Sequence, residues 1–253
     1  MSALTQLCEE IIACQDCELA RYRTKVVPGE GAEDADLLFI GEAPGWHEDQ
    51  QGRPFVGPAG QFLDQLLASI GLRREEVYIA NVIKCRPPQN RDPLPAEIQN
   101  CCKWLDRQLE IIQPQMIITL GRYSLARYFP NQSIGKIHGK PRKSGDVIYY
   151  PMYHPAAALH QGSLRRTIET DMLKIPQILA PRLAGDEKNN AQKHKPGYPK
   201  SSHAIRGTYY ALSECASQGE KGKDSPYSKS QANASKNPIP PMFHNRELPP
   251  PCH

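Results

Sequence analysis

Apolar residues along the chain fall into runs of two kinds. Leu4, Leu7, Cys8, Ile11 and Ile12 keep the three-and-four spacing of one helix face and predict a helix ending near Cys14. Leu37–Ile40 is an unbroken apolar run, short enough for a strand buried on both faces. Phe62, Leu63, Leu66, Leu67 and Ile70 return to helical spacing and stop at Gly71, a natural left-handed terminus. Val77–Lys84 predicts a second strand, and Arg86–Pro95, with its four prolines, an extended loop. A helix over Ile98–Ile112 is ended by Pro114. Met116–Leu120 and Val147–Tyr153 predict two more strands, Tyr123–Phe129 a short helix, and Leu164–Leu179 the last one. Strands alternating with helices predict a three-layer α/β/α sandwich with a mainly parallel central sheet.

Polar residues gather where those strands end. Gly41, Pro44 and Gly45 break the first strand into a loop reaching Phe55, which holds Glu42, Glu48, Asp49, Trp46 and His47. Asn81 lies within the second strand, which leads to Cys85, and His154-Pro155 follows the fourth. In an open α/β sheet, ligands bind beyond the carboxyl ends of the strands, so these loops can converge on one crevice.

Composition divides the 253 residues near Leu183. Residues 1–183 carry all the periodic segments and are expected to form one domain. From Ala184 the chain is rich in Lys, Asn, Ser, Gly and Pro, with too few apolar residues to offset ordering entropy, so 184–253 reads as a disordered tail. The domain is polarised: residues 1–83 hold 6 basic and 14 acidic side chains, residues 84–183 hold 15 and 7. The second part is suited to lie against a polyanion. No run approaches the ~20 apolar residues of a membrane-spanning helix, and the N-terminus lacks the basic flank and apolar core of a signal peptide. The expectation is a cytoplasmic protein with reduced thiols and no membrane contact, in which clustered cysteines serve metals or catalysis.

Cys14-Gln15-Asp16-Cys17 is a C-x2-C pair, Cys85 opens the proline loop, and Cys101 follows on the next predicted helix. Two close and two distant thiolates can close a site for zinc or for an iron–sulfur cluster, and ligand softness does not choose between them. Cys102 can compete with Cys101, while Cys8, Cys215 and Cys252 have no partner at ligand spacing.

Four motifs stand in order: Gly-Glu-Ala-Pro-Gly-x-x-Glu-Asp at 41–49, Gly-Arg-Pro-Phe-Val-Gly-x-Ala-Gly at 52–60, Asn-Val-Ile-Lys-Cys-Arg-Pro-Pro at 81–88 and Tyr-His-Pro-Ala at 153–156. With the cysteine spacing they resemble the family 4, iron–sulfur uracil-DNA glycosylases, over essentially residues 1–180. The resemblance implies a uracil-DNA glycosylase-like fold, a structural 4Fe–4S cluster on Cys14, Cys17, Cys85 and Cys101, and excision of uracil from single- or double-stranded DNA by a monomer. It implies that Gly41, Glu42, Ala43, Phe55, Asn81 and His154 form the uracil site. Phe55 would be the stacking surface, and Asn81 the amide reading the ring edge. His154 would donate to the 2-oxo group, with backbone N–H groups near Glu42 and Ala43 in support. Glu42 and Glu48 would be the catalytic acids, positioning water or, for Glu48, excluding a 5-methyl group. With no matched catalytic lysine, the product would be an abasic site in an intact strand.

The chain departs from the family in places. Ala158 stands where a large apolar residue is common, which leaves Leu159 as the wedge that fills the gap behind a flipped base, and His160 replaces a basic residue. The segment Gly135–Lys140 matches no catalytic position. Its Lys136 and Lys140, with Arg142, Lys143, Arg165 and Arg166, read as contacts to the DNA backbone. A basic, His-containing insertion that marks covalently cross-linking relatives is absent between Arg86 and Cys101. From a different class, the alternative is a non-catalytic iron–sulfur module that only binds nucleic acid.

Overall fold

The computed structural model describes residues 1–179, so the expectation of a disordered tail over 184–253 concerns residues outside it. Six strands are present: β1 (Glu30–Gly31), β2 (Leu37–Gly41), β3 (Tyr78–Asn81), β4 (Met116–Leu120), β5 (Arg142–Ser144) and β6 (Val147–Met152). They form one sheet in the order β1-β3-β2-β4-β6-β5. The four inner strands are parallel, and the two short edges pair antiparallel. The expected three-layer α/β/α sandwich with a mainly parallel sheet is what forms.

Strand alternation explains the layers. Leu38, Ile40, Tyr78, Ala80 and Ile117 face one way, onto Leu4, Leu7 and Ile11 of α1 (Ala3–Ala13) and Leu105, Leu109 and Ile112 of α4 (Pro95–Ile112). Phe39, Ile79, Met116, Ile118 and Tyr150 face the other way, onto Phe62, Leu63, Leu66 and Leu67 of α3 (Pro58–Ser69) and Ile168 and Met172 of α8 (Gly162–Met172). Each of the buried Leu, Ile, Phe and Met side chains among these contributes about 1.5–3 kcal/mol of transfer free energy. With helices on both faces, the inner strands are buried and mostly apolar, which is why Leu37–Ile40 shows no alternation.

Several elements differ from the sequence reading. The second strand ends at Asn81 rather than Lys84, because the chain turns to follow the β2 loop: Val82 N donates to Gly41 O and Ile83 N to Glu42 O. The last helix breaks at 173–174 and resumes at 175–179. The loop after β2 contains α2 (Trp46–Gln51), and the His-Pro loop continues into α7 (Pro155–His160). The chain also forms α5 (Arg122–Tyr128) and the single turn α6 (Ile134–Ile137).

Strand order sets where a ligand can sit. From β2 the chain passes to β3 on one side, then returns across the other face to β4 on β2's opposite side. Beyond the carboxyl ends of β2 and β4 the two connections diverge and leave a crevice. Gly41 ends β2 there, and Gly121 follows β4 with φ +91°.

Candidate active site and a cysteine-lined cavity

Gly41 is the floor of the crevice. A Cβ at this position would overlap Asn81 Oδ1 and come within 2.7 Å of the Phe55 ring, so only glycine lets the two side chains approach. Asn81, at the adjacent end of β3, is 2% exposed. Its carboxamide makes no hydrogen bond among the described residues and is not sealed from solvent, so its polar end is left to meet water or a ligand. The Phe55 ring lies 5.4 Å from the His154 imidazole, with planes 25° apart. Gly121 admits His154, whose Cβ lies 3.1 Å from where a Cβ on Gly121 would be. Gly41, Phe55, Asn81 and His154 are thus brought together, as the motifs implied.

Burial pushes the imidazole of His154 down to about 4, although the Glu48 carboxylate opposes it. The ring is therefore neutral at neutral pH. His154 Nδ1 accepts a hydrogen bond from Ala156 N (3.1 Å), so the ring proton sits on Nε2, which is left as a donor.

The two acids of the β2 loop differ in their surroundings. Burial raises the carboxyl of Glu42 to about 7, assisted by the Asp92 charge and opposed by Arg122. Its side chain makes no hydrogen bond among the described residues. Both oxygens of Glu48 are engaged: Oε2 accepts from Gly45 N (3.0 Å), and Oε1 from Val56 N and Gly57 N (both 2.9 Å). These bonds give Glu48 a structural duty beside the water-positioning or 5-methyl-excluding role that the resemblance implied. The carboxylate ties the start of α2 to the segment after Phe55. Ala43 is half-buried against the α1–α4 layer, with its backbone beside Glu42.

Two contributors escaped the sequence reading. Phe55 has φ +52°, a left-handed conformation that costs a bulky residue on the order of 1–3 kcal/mol. Arg74 holds it there. Its Nη1 donates to Phe55 O (2.9 Å) and Asp64 Oδ1 (2.9 Å), and its Nη2 to Pro54 O (2.6 Å). Gly60 completes the seat, since any Cβ would run into the Phe55 backbone. Lys84 is the second. Fully buried, it donates from Nζ to Asn81 O (2.9 Å) and Gln108 Oε1 (2.7 Å), fixing the end of β3. Arg74 lies in a polar, charged stretch with no periodic signal. Lys84 is hidden by a strand pattern that runs through it.

Of the residues expected at DNA, Leu159 is half exposed on α7. Lys136, Lys140 and Arg166 are exposed, and Lys140 Nζ donates to Lys136 O. Arg165 is engaged elsewhere, with Nε on Glu169 (3.0 Å), Nη2 on Gln65 (3.0 Å) and its guanidinium over Phe62.

Cys14, Cys17, Cys85 and Cys101 line one small cavity between α1 and α4, together with Arg23 and Trp104. No group of three or more His, Cys, Asp or Glu among the described residues closes on a single ion. Arg23 Nη1 donates to Cys85 Sγ (3.2 Å) and Lys84 N to Cys101 Sγ (3.3 Å). Burial pushes the Cys101 thiol up to about 12. The Trp104 Nε1–H is buried without an acceptor. Four soft donors around a space, with N–H groups directed at two of their sulfurs and one donor unmatched, fit a thiolate-bound metal or metal–sulfur group.

A model of the uracil DNA glycosylase superfamily matches residues 28–174. The type-4 uracil-DNA glycosylase of Sulfurisphaera tokodaii is 47% identical over 188 residues, covering 70% of this chain and 86% of its own. Those of Archaeoglobus fulgidus and Thermotoga maritima are 45% and 44% identical, covering 70% and 68% of this chain and 94% and 92% of their own.

Proposed function

The chain belongs to the type-4 uracil-DNA glycosylases, and from that premise we propose how its residues divide the work. The enzyme excises uracil from DNA in repair. Chemistry on a base requires taking it out of the stack, at a cost of a few kcal/mol that poorly paired uracil lowers. Leu159 fills the gap behind it. The extruded ring stacks on Phe55, worth ~1–3 kcal/mol, and Asn81 accepts from the ring N–H while donating to the neighbouring carbonyl.

As the glycosidic bond breaks, negative charge builds on the uracil and positive charge on the sugar. His154 donates from Nε2–H to the 2-oxo group, and the backbone N–H groups near Glu42 and Ala43 assist. Fixed donors of this kind are worth on the order of 2.7–4 kcal/mol each. A neutral imidazole suits the role because it keeps its proton while stabilising the anion. Glu42, poised near neutrality, takes the proton of the attacking water and faces the developing cation. The products are free uracil and an abasic site in an unbroken strand.

Cys14, Cys17, Cys85 and Cys101 would hold a 4Fe–4S cluster, which supplies a rigid cross-link between α1, the segment after β3 and α4 rather than a redox step. The reading further has the protein act as a cytoplasmic monomer on single- or double-stranded DNA. Lys136, Lys140 and Arg166 would hold backbone phosphates, and Arg165 would support α3.

One observation carries the site assignment: an asparagine amide with no protein partner, set beside an aromatic ring at the switch point of the sheet. Incubation with an oligonucleotide bearing one uracil, followed by alkali, tests it. Wild-type protein is expected to give cleavage only after alkali, and Asn81→Ala to give little. Equal cleavage by the variant would overturn the assignment.

A further inference from the structure

Outside the pocket, one cluster of titratable side chains has no part in the chemistry above. Asp171 of α8 is buried, with 2% of its side chain exposed. Its Oδ2 lies 2.6 Å from His138 Nδ1 and its Oδ1 2.8 Å from Lys174 Nζ. The Tyr150 hydroxyl donates to Asp171 O (2.8 Å) and fixes this point of the helix. Gly139 has φ +66°, and a Cβ there would run into the Asp171 carboxylate. The turn is therefore shaped to seat a buried acid beneath His138. A buried charge must be paired, and the partners supplied here are both basic.

The turn lies at the pocket end of the sheet. Gly139 N donates to Pro151 O (2.9 Å) on β6, and the His138 ring lies 4.8 Å from that of Tyr153, the residue before His154. Lys136 and Lys140 flank His138 on the same turn, and its side chain is 27% exposed. With Nδ1–H directed at the carboxylate, Nε2 is the nitrogen left to meet a ligand. We propose that His138, oriented by its 2.6 Å contact with the buried Asp171 carboxylate, binds a backbone phosphate of the DNA next to the extruded nucleotide. Asp171 is a positioning residue here, and the proposal takes the glycosylase activity as given.

A mere tie between the turn and α8 would cost stability when broken and leave DNA affinity alone. The salt dependence of binding separates the two. Binding of the full chain, with its cluster loaded, is measured to a uracil-free duplex and to one with a stable abasic analogue. His138→Gln is expected to weaken both by the same factor and to flatten the slope of log K against log salt by ~0.9. Inhibition by free uracil stays at the wild-type value. His138→Lys restores the slope, and Asp171→Asn flattens it as His138→Gln does. A wild-type slope in His138→Gln overturns the proposal whatever its melting temperature. A wild-type slope in Asp171→Asn overturns the role given to the acid. Altered uracil inhibition with an unchanged slope would put His138 in the pocket instead. Retained excision by all three variants keeps this test separate from that of the active site.

Discussion

If Glu42 is the base, lowering the pH should switch the enzyme off well above the usual carboxylate range. Its carboxyl is pushed up to about 7, first by burial and then by the charge of Asp92, while Arg122 opposes the shift. The ionised form takes the proton from water, so the single-turnover rate should fall as pH drops through 7. With that midpoint, about nine-tenths of Glu42 is ionised at pH 8 and about one-eleventh at pH 6, a roughly tenfold loss; an ordinary glutamate would lose almost nothing. His154 does not account for such a limb, because it titrates at about 4. Asp92 forms an ion pair with Arg122, so Asp92→Asn removes a repelling charge and frees an attracting one. The limb should then move to lower pH, and Arg122→Met should move it up. Uracil release from a single-stranded oligonucleotide under enzyme excess reads the chemical step. A limb below pH 5 in the wild type, or one that stays in place in both variants, would refute the assignment.

Other outcomes follow from the same geometry. Asn81→Ala should weaken free-uracil inhibition by about 5- to 150-fold, corresponding to ~1–3 kcal/mol, with little change in the salt dependence of DNA binding. Glu48→Gln should keep the pH limb of the wild type, because its carboxylate holds backbone N–H groups; a displaced limb would return it to the water. Arg74→Met should free Phe55 from its left-handed backbone, and its cost in uracil affinity should vanish in a Phe55→Ala background, as double-mutant cycles measure. Cys101→Ser should abolish the visible absorbance of a bound iron–sulfur cluster and lower the melting temperature; unchanged absorbance would exclude Cys101 as a ligand.

Layering was readable because buried parallel strands must be continuously apolar and amphipathic helices must face them. Leu37–Ile40 and Met116–Leu120 left no other assignment. β1 and β5 were not readable, being two and three residues long, with exposed Arg142 and Lys143 on the second guarding an open sheet edge. Apolar character misled at Val82 and Ile83, which are buried by following the β2 loop rather than by pairing in the sheet. Within the candidate site, the residues that line the crevice lie in recognisable motifs, whereas those that hold them do not. Arg74 reaches Phe55 across 19 positions of sequence and Lys84 holds Asn81 through its backbone carbonyl, and neither contact leaves a pattern in spacing. Glu48 shows the reverse: the motif marks it as an acid, and only the structure reveals the three backbone N–H groups around it.

The most direct measurement is of free uracil released from an oligonucleotide containing a single uracil, by wild-type protein and by Asn81→Ala, with strand integrity followed before alkali. One uracil per strand from the wild type, an unbroken strand, and a rate lower by at least an order of magnitude in the variant are expected. Equal release by the variant, or scission without alkali, would contradict a hydrolytic uracil site built on Asn81.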